Sequence, residues 1–390
     1  MAPKQMEFLA SLRRQNPQIG EALEQLSAQY DAKLWHQVTQ KLEEVFDLAE
    51  SQPPLGSMLI SLYDNFIADF AGKLNLLKLA HLAVRVSKHY SEIDQRLAFL
   101  EGVVESLKQL RHVKVEEPSL YLRMHIGENK LLKGDVVACK ALMEEGKEKL
   151  ESATDFDPSV SATVHYVCSQ FHKAQKDFGE FYKSALMYLA YTSSDSLPKD
   201  FKLALGVDIS LSALLADNVF NFGELLLHPI LEILDASSFK WLHELLEVFN
   251  TGDIGRYDEM CQQYDKDLRA QPALVECQRQ LREKITIMCL LELIFRLPAE
   301  ERQISLQVIA DRTKLSLDGV EFLLMKALSL HLIEGSIDQV DGFVQVSWVQ
   351  PRVLTFPEMQ GLCERLDGWA SKVKSVNLAL EQETVGVVEV

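Results

Sequence analysis

The chain has 390 residues, 47% of them hydrophobic, and its formal net charge at pH 7 is −17. This charge argues against nonspecific binding to nucleic acid or to an anionic membrane surface, because both need a positive field on the protein. The six cysteines form no Cys-x-x-Cys pair, so we predict reduced thiols in helix cores rather than disulfides or a zinc site.

Most of the chain before residue 300 has a helical period, with few prolines or glycines to interrupt it. Two apolar stripes repeat at three- and four-residue spacing: Leu34, Val38, Leu42 and Val45, and Leu62, Phe66 and Phe70. Such segments are too many and too evenly spaced for one bundle. We therefore predict stacked pairs of helices, in which each pair completes the core of its neighbour.

Pairs of glycine and an acidic residue stand between helical segments and indicate a degenerate repeat. They are Gly134-Asp135, Gly179-Glu180, Gly223-Glu224 and Gly252-Asp253, with the glycines 45, 44 and 29 residues apart. Glycine can end a helix in the left-handed conformation, and the acid then lies where the dipole of the next helix favours it. We predict that Gly134 and Gly179 end helices. The alternative is that the pairs recur by chance.

The segment from Ile304 to Trp348 has the element order of a winged helix. Apolar residues at helical spacing predict a short helix, and a tight turn follows it at 313–316. Ser316 can cap the second helix, whose apolar face runs from Val320 to Leu328. After His331 the apolar period becomes two, which predicts two strands joined by a turn at 338–342.

This module has the wrong charge for DNA. Between residues 304 and 350 there are six acids (Asp311, Asp318, Glu321, Glu334, Asp338 and Asp341) and three bases (Arg312, Lys314 and Lys326). In a DNA complex the second helix would approach the phosphates. It carries two of these acids in its first turn, and their negative charge would repel the phosphates. We interpret the module as a protein-binding element, whose second strand, from Phe343 to Trp348, we predict at the edge of a small sheet.

A heptad stripe follows the winged helix. Met359, Leu362, Leu366, Trp369, Val373, Val376 and Leu380 are spaced alternately by three and four residues. The stripe is too short to hold a coiled coil alone. It can fold back on the winged helix or join helices of other chains. Residues 381–390 lack helical periodicity, and we predict a loose tail there.

The motifs of common enzymes are absent from the sequence. It contains no P-loop, no Gly-x-Gly-x-x-Gly, no Gly-x-Ser-x-Gly, and no His-Glu-x-x-His or His-x-His. The longest apolar run, 285–295, has 11 residues, whereas a membrane span needs about 20. We predict a protein without catalytic residues, cofactor, metal or membrane anchor. An enzyme with an unrecognised site is the alternative.

Short segments spread over the chain resemble one known family, the PCI-domain proteins. They are Lys33–Gln37, Leu62–Ile67, Val219–Leu226 with His228-Pro229, Gly335–Asp341 and Trp348–Leu354. Members of this family scaffold the proteasome lid, the COP9 signalosome and a translation initiation factor. Each match is weak alone, but together and in order they most resemble a lid subunit of the 26S proteasome regulatory particle.

The resemblance implies a noncatalytic scaffold that supports the degradation of ubiquitinated proteins, in the cytoplasm and the nucleus. It implies contacts with other lid subunits through the winged helix and a bundle of C-terminal helices, beside the ubiquitin-receptor subunit. The acidic charge predicts no nucleic-acid partner, and the absent motifs predict no cofactor. A subunit of another PCI complex is the alternative, and a nucleic-acid-binding regulator is a third hypothesis, which the charge disfavours.

We thus expect a mainly α chain: a right-handed, TPR-like helical-repeat array, a winged-helix PCI module and a C-terminal helix. The expected limits are 1–180 for the array, 181–350 for the PCI domain and 351–390 for the heptad helix and tail. Within the PCI domain the helical part runs to about 300 and the winged helix covers 304–350. The expected protein-interface residues are Phe343, Val344, Val346, Trp348, Met359, Leu362, Leu366, Trp369, Val373 and Val376.

Overall fold

Helices dominate the chain, as the three- and four-residue spacing of its apolar side chains predicts. The computed structural model describes residues 3–50, 56–109, 115–152, 155–298, 302–354 and 356–384. Internal packing divides the chain into two units, Met1–Pro198 and Lys199–Val390. The mainly α fold is confirmed. The expected domain limits at residues 180 and 350 stay predictions.

In the first unit, helices two positions apart in the chain pack together, in addition to sequence neighbours. Its helices are α1 (Pro3–Gln15), α2 (Gly20–Asp31), α3 (Trp35–Glu50), α4 (Gly56–Leu62), α5 (Ala68–Phe70), α6 (Leu76–Ser87), α7 (Ile93–Gln109), α8 (Glu116–Lys133), α9 (Val136–Ser152), α10 (Pro158–Gln175) and α11 (Phe178–Tyr191). Helix α8 packs on both α6 and α10, which is how stacked helical pairs share one core. That core runs from Leu9 to Phe171.

Two glycines of the predicted repeat end helices in the left-handed conformation. Gly134 has φ +92° and Gly252 has φ +66°, and each follows the last residue of a helix. The acid after the glycine then caps the next helix. Asp253, for example, accepts hydrogen bonds from the N–H groups of Gly255 and Arg256 at 2.9 and 3.1 Å.

The prediction that Gly179 ends a helix is wrong, because it lies in the first turn of α11. The left-handed residue at that junction is Lys176, with φ 59°, and Asp177 caps α11 by accepting from the N–H of Glu180 at 3.2 Å. Gly223 likewise lies inside a helix, Phe222–Leu226. The feature shared by three junctions is therefore a left-handed residue followed by aspartate, and this left-handed residue need not be glycine.

The second unit combines a helical part with the winged helix. Its elements are α12 (Lys199–Leu215), α13 (Phe222–Leu226), α14 (Glu232–Asp235), α15 (Lys240–Thr251), α16 (Ile254–Gln263), α17 (Asp265–Arg269), α18 (Pro272–Glu276), α19 (Gln278–Arg296), β1 (Gln303–Ser305), α20 (Leu306–Thr313), α21 (Leu317–Ser329), β2 (Ile333–Asp338), β3 (Phe343–Val349) and α22 (Phe356–Thr384). The predicted order of the winged helix is confirmed. As predicted, Ser316 caps α21 by accepting from the N–H of Gly319.

The sheet of the winged helix has the antiparallel order β1-β3-β2. The prediction that the second strand of the hairpin lies at the edge is therefore wrong: β3 is central, and β1 pairs with its residues 343–345. A three-residue strand is too short to show a period of two, so the sequence pattern did not reveal β1. The edges among the described strands are β1 and β2.

Helix α22 extends farther than its apolar pattern predicted. It continues to Thr384, so the prediction of a loose tail is wrong for residues 381–384. The remainder of that predicted tail, 385–390, lies outside the described residues.

Candidate protein-interaction surface

A half-buried arginine holds the segment that follows β3. The guanidinium of Arg352 donates to the carboxylate of Glu292 on α19, and to the backbone and side-chain oxygens of Asn250 near the end of α15. Charge-assisted hydrogen bonds of this kind are among the strongest in proteins, and arginine's planar fork suits them. The start of α22 is therefore attached to the helical part of the second unit.

The next residue of this segment packs against a glycine. A Cβ atom added to Gly223 on α13 would lie 2.9 Å from the Cβ of Val353. Carbon atoms do not approach so closely without a shift of the backbone. This close approach, rather than the end of a helix, explains why position 223 is a glycine. Together with the hydrogen bonds of Arg352, it positions the segment that precedes α22.

Helix α22 presents its apolar stripe to solvent. The stripe side chains are 38–65% exposed: Met359, Leu362, Leu366, Trp369, Val373, Val376 and Leu380. In this structure the stripe does not fold back on the winged helix. Exposed apolar stripes of this length are rare on isolated soluble chains and are typical of surfaces that bind other proteins.

The predicted residues of β3 divide between the interior and the surface. Val344 and Val346 are buried in the core of the winged helix, whereas Phe343 is half-buried and Trp348 is 40% exposed. Side chains alternate between the two faces of a strand, and the bulge opposite Glu334 and Gly335 shifts this alternation by one residue before Trp348. Phe343 and Trp348 therefore both lie on the accessible face of β3. The structure thus leaves Phe343, Trp348 and the α22 stripe as the predicted residues that are accessible.

Sequence reasoning missed an apolar patch on α21. Phe322 is 70% exposed, and Met325 lies three residues farther along the same outer face. The buried face of this helix consists of Val320, Leu323, Leu324 and Ala327. Phe322 and Met325 do not fit that period, and this mismatch was the signal available in the sequence.

One serine and histidine pair resembles a catalytic arrangement but lacks its geometry. Ser159 Oγ lies 3.3 Å from His81 Nε2, yet its hydroxyl donates to Asp157 at 2.6 Å. In a catalytic triad the acid orients the histidine rather than the serine. Here the acid caps α10, and burial lowers the pKa of His81.

The thiols of two buried cysteines are in surroundings that do not favour reaction. Burial raises the pKa of both Cys139 and Cys168 to about 11, so these thiols stay protonated and weakly nucleophilic. The described ranges contain no cluster of three or more histidine, cysteine or acidic residues that could hold a metal ion. No described helix combines the length and apolar character that crossing a bilayer requires.

Comparisons with known proteins cover both units. The family model for PSD13 N-terminal repeats matches residues 22–246, and the model for the PCI domain matches residues 261–348. The chain is similar to the 26S proteasome non-ATPase regulatory subunit 13 homologs B and A of Arabidopsis thaliana. Each is 50% identical over 383 residues, which cover 98% of this chain and 99% of the relative.

A more distant relative matches over the same extent. The 26S proteasome non-ATPase regulatory subunit 13 of Dictyostelium discoideum is 33% identical over 385 residues, 99% of each chain. Identity at this level over nearly the whole length, together with two matching family models, shows the family. The chain belongs to the family of the 26S proteasome non-ATPase regulatory subunit 13.

Proposed function

We propose that this chain is a noncatalytic structural subunit of the lid of the 26S proteasome regulatory particle. In this role it supports lid assembly, and thereby the ATP-dependent degradation of ubiquitinated proteins in the cytoplasm and the nucleus. The observation that carries the proposal is the exposed apolar stripe of α22, on a chain that is similar over nearly its whole length to regulatory subunits of the proteasome. Such a stripe needs partner helices to cover it.

The proposed contacts are of two kinds. Leu362, Leu366, Trp369 and Val373 pack into a bundle with helices of other lid subunits, and tryptophan is a frequent hot spot in such interfaces. The winged helix contributes the accessible face of β3, with Phe343 and Trp348. The ubiquitin-receptor subunit is a proposed neighbour, on the strength of the family resemblance alone.

A noncatalytic role fits the chemistry of the described residues. Asp157 accepts a hydrogen bond from Ser159 rather than orienting His81, and burial raises the pKa of the thiols of Cys139 and Cys168. A structural subunit needs none of these groups to react. The purified chain is therefore expected to hydrolyse neither ATP nor ubiquitin chains.

The test is a pair of matched double variants of the tagged full-length chain, isolated gently from its host. Leu366→Asp with Trp369→Asp places two charges in the stripe, and burying them unpaired would cost several kcal/mol, on the order of 3–5. Ser371→Asp with Ser375→Asp adds the same charge on the opposite face of α22. We expect only the first pair to release the chain from the other lid subunits.

Circular dichroism and thermal melts of both isolated variants complete the experiment. Because the stripe is exposed in the isolated chain, both variants are expected to melt like the parent. Retention of Leu366→Asp with Trp369→Asp in the intact lid would refute the role of the stripe. Subunits of the COP9 signalosome or of a translation initiation factor, in place of lid subunits, would support the alternative PCI complexes.

A further inference from the structure

A groove in the second unit lies apart from α22 and from the accessible face of β3. Its volume is about 970 Å³, and it runs between α16, α19 and the beginning of α21. Residues on its three sides include Tyr257, Arg279, Arg282, Lys314, Leu315 and Phe322. This size is at the upper end for pockets that enclose a compact ligand, and it suits a segment of polypeptide.

The apolar part of the groove is open to solvent. Phe322 exposes 70% of its surface and Leu315 exposes 37%, whereas Ile254 and Tyr257 at the opposite side are buried. An aromatic ring exposed beside a concave surface is an anchoring point for a large apolar side chain of a partner. The groove thus offers apolar contact along one wall.

The charges of the groove divide into paired and unpaired groups. Arg282 binds Asp258 at 2.7 Å, and Glu283 binds Lys326 at 2.5 Å, so these carboxylates are already neutralised. Within the part of the chain that the structure describes, Arg279 and Lys314 lining this groove have no carboxylate partner. Both are exposed.

The backbone at both of these cations is ordered by hydrogen-bonded structure. Lys314 has φ 57°, and the turn that contains it is closed by the N–H of Leu315 donating to the carbonyl of Ala310 at 3.2 Å. Arg279 lies in the first turn of α19. Among the described residues that line the groove, the charges outside ion pairs are Arg279, Lys314 and Glu276, which leaves one positive charge. Asp318 and Glu321 of α21 lie outside the lining, and Glu321 accepts a hydrogen bond from Gln339.

We propose that this groove binds an acidic segment of a partner protein that carries one large apolar side chain. The apolar side chain packs on Phe322 and Leu315, and carboxylates on either side of it pair with Arg279 and Lys314. The free positive charge selects acidic over basic segments, because a like charge there is repelled. The proposal does not depend on the lid role of α22, since it uses other residues.

The experiment measures binding of synthetic peptides to the full-length purified chain by fluorescence anisotropy. The probe is a fluorescein-labelled peptide with the sequence Glu-Glu-Leu-Phe-Glu-Glu. Two matched peptides replace every glutamate by lysine, or the phenylalanine by alanine. We expect saturable binding of the probe that weakens as salt is raised, and at least about tenfold weaker binding of both matched peptides.

Variants of the chain locate the binding. Arg279→Glu with Lys314→Glu, and separately Phe322→Ser, are expected to weaken binding of the probe about tenfold or more. Lys372→Glu with Lys374→Glu makes the same charge change on α22 and should leave binding unchanged. All of these residues are exposed, so the variants should keep the parent's circular dichroism spectrum and melting temperature.

Several results would overturn the proposal. These results are binding of the lysine peptide as tight as that of the probe, no binding of the probe at millimolar concentration, or groove variants that keep the parent's affinity. A loss of binding that is equal in the Lys372→Glu with Lys374→Glu control would assign the effect to net charge and reject the groove. Lid assembly is not measured here, so failure of this test leaves the α22 experiment unaffected.

Discussion

The ammonium nitrogen of Lys284 lies 2.6 Å from the carbonyl oxygen of Ala216, in the interior of the second unit. It also donates to the carbonyls of Ala213 and Leu214 at 2.7 and 3.3 Å. These carbonyls lie at the end of α12, where no following helical turn supplies backbone N–H donors for them. One lysine on α19 therefore caps α12 across 68 to 71 residues of chain.

Replacing Lys284 by methionine should lower the free energy of unfolding at pH 9 by about 2 kcal/mol. The variant keeps the length of the side chain but leaves the buried carbonyls at the end of α12 without a donor. Chemical denaturation followed by circular dichroism measures the change. Lys266→Met, at an exposed position, should stay within about 0.5 kcal/mol of the parent. Equal stability of the two variants would contradict the capping role.

The same lysine should make stability depend on pH above neutrality. Burial lowers the pKa of Lys284 to about 7, below the ordinary lysine value of 10.5. Between these two values the unfolded chain binds more protons than the folded chain, so stability rises with pH. Relative to Lys284→Met, the parent should gain about 2 kcal/mol between pH 7 and pH 9. A constant difference would show that the carbonyl acceptors keep the lysine protonated.

Two left-handed glycines provide a matched comparison. Gly134→Ala adds a methyl group where no atom lies within 4 Å, so it should cost only the backbone strain of about 1 kcal/mol. Gly252→Ala places its Cβ 2.7 Å from the backbone N and Cα atoms of Cys289 and should cost about 3 kcal/mol. Denaturation midpoints measure both changes. Similar losses for the two variants would refute the close approach of α15 to α19.

Arg352→Leu should destabilise the second unit by about 2 kcal/mol, because it removes hydrogen bonds to Glu292 and to the end of α15. Glu292 keeps its ion pair with Arg296 at 2.6 Å, which limits the loss. Arg365→Leu on the exposed part of α22 is the control and should be neutral. A loss below about 0.5 kcal/mol for Arg352→Leu would show that the segment before α22 is not anchored by this residue.

The winged helix should not bind duplex DNA at physiological salt. Helix α21 presents Asp318 and Glu321 together with exposed Phe322. Because these side chains neutralise no phosphate, binding would release few counterions from the DNA. Titration of a random duplex with the full-length chain in a gel-shift assay should give no complex up to about 10 µM. A complex that dissociates steeply as salt is raised would contradict this expectation.

The sequence by itself determined the type and order of most elements. Apolar periods of three and four residues lie on helix faces and a period of two lies on strands, so the helical repeats, the winged helix and the heptad helix were all predictable. Ser316 acts within its own turn, and its role as a cap could be predicted because capping depends on neighbours in sequence. The charge of the module also followed from composition alone.

Only the tertiary structure decided which residues far apart in sequence meet. The pairing of β1 with β3 and the capping of α12 by Lys284 join segments separated by tens of residues, and no local pattern encodes them. At Lys176 a lysine adopts the left-handed conformation that the glycine pattern had assigned to Gly179. Gly223 has its role only because Val353 packs against it, and Phe322 borders a groove only because α16 and α19 lie beside it. These relationships depend on packing between elements, which the periodicity of a single segment does not specify.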